Sequence, residues 1–78
     1  MKELKRLVEE SKRYHKASLA EDASEEETDA AYAEYWARLK KIADELYAIT
    51  GGRIDRNTGL KMAIHKGDKI LGLVSKMA

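Results

Sequence analysis

Residues 49–70 read ITGGRIDRNTGLKMAIHKGDKI. How this stretch folds decides whether the protein is all helical or mixed. It contains four of the chain's five glycines, five Lys or Arg side chains and one of the two histidines. Gly51 and Gly52 should end whatever precedes them, because glycine readily takes the left-handed conformation that closes a helix. Beyond them the pattern supports three readings. Leu60, Ala63, Ile64, Gly67, Leu71 and Val74 keep helical spacing, among good helix formers. Gly67 and Gly72 oppose a continuous helix, at about 1 kcal/mol each. Alternatively, Arg56-Asn57-Thr58-Gly59 and Lys66-Gly67-Asp68-Lys69 are turns between short strands, and Leu60, Met62 and Ile64 do alternate. A third reading ends one helix at Gly67 and starts another with Asp68 as its N-cap. Helix is preferred here, either continuous or broken at Gly67. The alternative is a C-terminal β-hairpin or meander and an α+β protein.

Upstream, the pattern is plainer. From Ser24 to Ile49 the chain reads SEEETDAAYAEYWARLKKIADELYAI. Ser24 with Glu27 is a capping-box pattern, and three successive Glu suit the positive end of a helix. Ala31, Tyr32, Tyr35, Trp36, Leu39, Ile42, Ala43, Leu46, Tyr47 and Ile49 cover roughly 160° of a helical wheel. That arc is wide enough for two neighbours. Tyr32, Trp36 and Tyr47 lie toward one edge of it; Tyr35, Ile42 and Ile49 lie toward the other. Before it, Leu4, Leu7, Val8, Ser11, Tyr14 and His15 form one narrow stripe over residues 2–18. The linker near LAEDA is short, so these two helices should be antiparallel. The predicted fold is mainly α: an antiparallel two-helix hairpin carrying a third, C-terminal element that is helical by preference.

A chain of 78 residues makes one domain, residues 1–78, with a marginal core. It has no cysteine to staple that core and no proline, which favours long helices. Oligomerisation is then the remaining common support. No apolar run reaches the roughly 20 residues of a membrane span, and the charged start lacks the apolar stretch of a signal peptide. A cytoplasmic protein without membrane association is expected.

Net charge is only +1, but it is unevenly spread. Residues 1–18 carry six Lys or Arg and three Glu, a balance of +3. Residues 19–49 carry three basic and nine acidic side chains, −6, and residues 50–78 carry six and two, +4. Antiparallel packing would let these blocks neutralise each other. A basic face offered to an acidic partner is the other outcome.

Few constellations suggest chemistry. His15 and His65 are fifty residues apart, without cysteine, which is poor material for a structural metal site. His15 is expected to pack on the inner edge of the first helix, and His65 to lie at the surface. Asp55-x-Asn57-x-Gly59 resembles the start of a calcium loop. However, Leu60 takes its sixth position and Lys66 its twelfth, so an Asx turn explains it better. No phosphate-binding glycine motif is present, and the glycines at 51 and 52 follow a helix C-terminus, which repels anions. The serines stand in no nucleophile motif, and Glu25, Glu26 and Glu27 fan around a helix start. No catalytic residue, cofactor or metal is therefore expected, and the protein is not read as an enzyme.

Two surfaces remain. Tyr32, Tyr35, Trp36 and Tyr47 share one helix in a chain with no phenylalanine. Tyrosine and tryptophan tolerate a wet edge and are enriched at binding hot spots. Arg53, Arg56, Lys61, His65, Lys66, Lys69 and Lys76 form a basic C-terminal set able to contact phosphates. No aromatic residue lies among them for base stacking. A helix-turn-helix around Gly67 would use Ala63 for the close contact and turn Leu73 inward. Its second helix offers no Asn, Gln or Arg to read bases. The expected function is that of a non-catalytic helical binding protein. It would dock on a protein partner or a larger machine as a modulator or inhibitor, a role common among small charged proteins, including those of phages and mobile elements. The partner could be a second copy, giving a homodimer. The alternative is a nucleic-acid-binding or regulatory protein acting through the basic segment.

Overall fold

Capping chemistry divides the chain into its elements. The structure, a computed structural model, describes residues 2–77, apart from the side chains of Asp68 and Met77. Helix α1 spans Lys2–Ser18, α2 Glu25–Ile49, α3 Arg56–Lys66 and α4 Ile70–Met77, with a 3-10 turn over Gly67–Lys69. Ser24 caps α2: its Oγ accepts the Glu27 amide at 3.2 Å. At the far end Gly51 and Gly52 both have positive φ, 62° and 91°. There the Gly52 amide donates to the Tyr47 carbonyl at 2.9 Å and the Gly51 amide to that of Ala48 at 3.3 Å. This pair of bonds is the Schellman arrangement that glycine permits and satisfies carbonyls the helix leaves open.

Two further bonds steer the chain into α3. The Thr50 hydroxyl donates to the Leu46 carbonyl at 2.6 Å and accepts the Ile54 amide at 3.1 Å. Ile54 is thereby turned into the core, where it is buried. Asp55 then caps α3, its Oδ1 accepting the Thr58 amide at 2.7 Å. Arg56-Asn57-Thr58-Gly59 is thus the first turn of a helix, not a hairpin turn. Among the described residues no strand forms. The C-terminal element is helical, as preferred, and breaks at Gly67. The Asp68 side chain, read as an N-cap, lies outside the described residues.

α1 and α2 pack along their lengths. Glu10 meets Arg38 and His15 meets Tyr35, so the two run antiparallel. Leu4, Leu7 and Val8 interleave with Leu39, Ile42 and Leu46, and Ile54, Ala63, Ile70 and Val74 close the cluster. α3 crosses α2 where Gly59 lies on Ala43. A Cβ added at Gly59 would stand 3.1 Å from the Ala43 Cα. Two small residues set that close approach. Ile70, which the spacing analysis passed over, is fully buried, whereas Ile64, expected inward, is exposed. Ile49, in the last turn of α2, is exposed as well. The molecule measures 41 × 19 × 19 Å. α2 alone, at about 1.5 Å per residue, spans nearly all of the long axis. Among the described residues no helix is long and apolar enough to cross a membrane.

Candidate functional site

The wide apolar arc of α2 divides as its two edges require. The edge with Tyr35, Ile42 and Leu46 meets α1. The edge with Ala43 and Tyr47 meets α3, through Gly59 and through Arg56. The Arg56 guanidinium lies 4.5 Å from the Tyr47 ring centroid, and its Nε donates to Asp44 Oδ1 at 2.8 Å. Both partners of that ion pair are well exposed, so it orients Arg56 more than it stabilises the fold.

Tyr32 and Trp36 continue the α3-facing edge toward the hairpin tip. There the rings form a connected group. His15 stacks on Tyr35 at 4.6 Å between centroids, and Tyr32, Tyr35 and Trp36 lie 6.1–6.2 Å apart, tilted or edge-on. These are the offset geometries that aromatic quadrupoles favour. Tyr35 and Trp36 rest partly on the core, while Tyr32 is 51% exposed. Burial pushes the Tyr35 phenol above its ordinary range, aided by Tyr32. His15 is exposed, a correction to its expected inner position. Its ring stacks on Tyr35 and otherwise faces outward.

Beneath this group Arg38 ties the helices together. Its Nε donates to Glu10 Oε1 at 3.0 Å, its Nη1 pairs with Glu34, and its guanidinium lies 5.0 Å over the Tyr14 ring. The Arg38 hydrogen bond holds the Glu10 carboxyl below its usual range. Sequence reasoning missed this cross-helix pair. An arginine set among apolar positions of α2 was the available signal.

No family model matches the chain, and no curated protein or solved structure does. Its surfaces must therefore be read from their own chemistry.

Of the basic set, Arg56 is held against α2, and Arg53, Lys61 and Lys76 are exposed. His65, Lys66 and Lys69 do converge, around Gly67, on a shallow open cleft whose other wall is Lys12 of α1. Lys12 could not have been placed there from sequence, because its position depends on how α3 crosses the hairpin. α4 turns Ile70 and Val74 into the core and leaves Gly72, Ser75 and Lys76 outward. That outward face carries no Asn, Gln or Arg for bidentate base readout. Among the described residues no three His, Asp or Glu side chains gather as a metal site would require.

Proposed function

We propose that this is a non-catalytic helical binding protein whose docking face is the Tyr32, Tyr35 and Trp36 group on α2. The observation that carries this reading is a change of cover along one edge of one helix. Ala43 is buried beneath Gly59 of α3 and Tyr47 is partly screened by Arg56, at 39% exposed, while Tyr32, on the same edge beyond α3, is 51% exposed. Its ring is held by neighbouring rings, so docking would cost little side-chain entropy. Such preordered aromatic anchors are what hot spots use. Modulation or inhibition of a larger machine would then act by occlusion, a rigid helical face covering the partner's working surface.

The test is photo-crosslinking in cells, with benzoylphenylalanine replacing Tyr32 and, as a control, Glu9 on the outer face of α1. Adducts from position 32 alone are expected, and Trp36→Ala should weaken capture about thirtyfold. Equal adducts from both positions, or none, would remove the reading.

A second reading rests on the cleft of Lys12, His65, Lys66 and Lys69. Here the protein would contact nucleic-acid phosphates, with affinity falling steeply as salt rises. Fluorescence anisotropy of labelled DNA and RNA in low salt would show binding that is lost when Lys66 and Lys69 become Glu.

A further inference from the structure

The tip of the hairpin holds an interface that fits itself. We infer that the Tyr32–Trp36 edge of α2 pairs with the same edge of a second copy, antiparallel, across a twofold axis between these two residues. This rests on the docking face proposed above and names its occupant.

Three features of α2 point to that occupant. First, Tyr32 and Trp36 lie one turn apart, so antiparallel pairing sets each Tyr32 against the second copy's indole, twice over. An isologous contact of this kind needs one self-complementary patch and closes at two chains. Second, the charges bracketing the pair are opposite. Asp29 precedes Tyr32 by three residues and Lys40 follows Trp36 by four, and both side chains are exposed. At 100° per residue they fall on the same flank of the Tyr32–Trp36 line, about 20° apart. In an antiparallel helix pair, residues of one flank meet residues of that same flank on the partner. Asp29 of each copy therefore faces Lys40 of the other, once at each end. In a parallel pair the same flank would face Thr28, Tyr35 and Leu39 of the opposite side, with no charge to meet. Third, Ala33 lies exposed on that flank between the charges. A small side chain there lets the helices approach, as Gly59 and Ala43 do for α3.

The edge is also continuous with an interface the chain already makes. α3 occupies it from Tyr47 to Ala43, and the second copy's α2 would occupy the stretch from Lys40 to Asp29.

Sedimentation equilibrium from micromolar to submillimolar concentration tests this, on the wild type, Asp29→Lys, Lys40→Asp and the double exchange, with helicity followed by circular dichroism. The wild type should reach the mass of two chains. Either single reversal places like charges together at both ends and should weaken the dimer about tenfold. The double exchange restores both pairs and should return the affinity to within about threefold of wild type. Within one chain these residues are eleven positions apart on one helix, so a merely structural effect of either substitution has no reason to be rescued by the other. A single-chain mass throughout, or a double variant no better than the singles, overturns the inference. The photo-crosslink separates this failure from failure of the docking face itself. An adduct of twice the chain's mass supports the second copy. A heavier adduct with a different protein keeps the face and overturns this occupant.

Discussion

Gly59 and Gly72 sit in helices and look alike in sequence, yet their surroundings differ. A methyl group at Gly59 would press on the α2 backbone at Ala43, whereas one at Gly72 would meet open space. Alanine gains about 1 kcal/mol over glycine in a helix interior. Gly72→Ala should therefore stabilise the protein by up to about 1 kcal/mol. Gly59→Ala should lose that gain and more, for a net cost of about 1 kcal/mol, because the atom in its way is main chain within a packed helix. Urea unfolding of the two variants checks the opposite signs.

Both ends of α2 and the start of α3 owe their positions to a few polar atoms, and the ends of α2 were legible in the sequence. Ser24 before three glutamates announced a start and the glycine pair at 51 and 52 an end, while Asp55, read from the sequence as an Asx turn, proves to cap α3. The α1 stripe was legible too, from Leu4 through Ser11. Less legible was everything that depends on where a neighbouring element stops. His15 falls on the inward stripe but is exposed. Ile64 has helical spacing but faces out, while Ile70, beyond the 3-10 turn, faces in. Lys12 reaches His65, Lys66 and Lys69 only because α3 crosses the hairpin at the Gly59–Ala43 contact.

The α3 cap carries a pH dependence. Asp55 is held below its ordinary value of 3.8, chiefly by the Thr58 amide and then by the Thr58 side chain. A carboxyl whose folded value is depressed stabilises the fold fully above its unfolded value, and that contribution is lost as pH falls through the folded one. The wild type should exceed Asp55→Asn in thermal stability at neutral pH. The gap should close as pH drops below 3.8, which thermal melts at stepped pH would follow. A gap that is constant across this range would mean the cap works without its charge.

At the scale of the whole molecule, stability is unevenly distributed. The base holds α1, α2, α3 and α4 around Leu4, Leu39, Ile42, Leu46, Ile70 and Val74, all nearly inaccessible. The tip holds two helices and the ring group. Opening free energy follows the density of buried apolar contacts. Amide hydrogen exchange should therefore be slowest over residues 39–46 and faster by about two orders of magnitude over residues 26–32, read residue by residue by NMR. If a second copy covers the tip, protection over 26–36 should rise with protein concentration while residues 39–46 hold constant.

The 41 × 19 × 19 Å outline has a consequence for how the protein moves in solution. A body about twice as long as it is wide turns slowly end over end and quickly about its own length. Peptide N–H vectors in a helix lie close to the helix axis. Those of α2 therefore align with the slow direction, while any amide that points across the long axis is also turned by the fast rotation. One rigid molecule would thus give its amides different apparent correlation times, sorted by orientation and not by local flexibility.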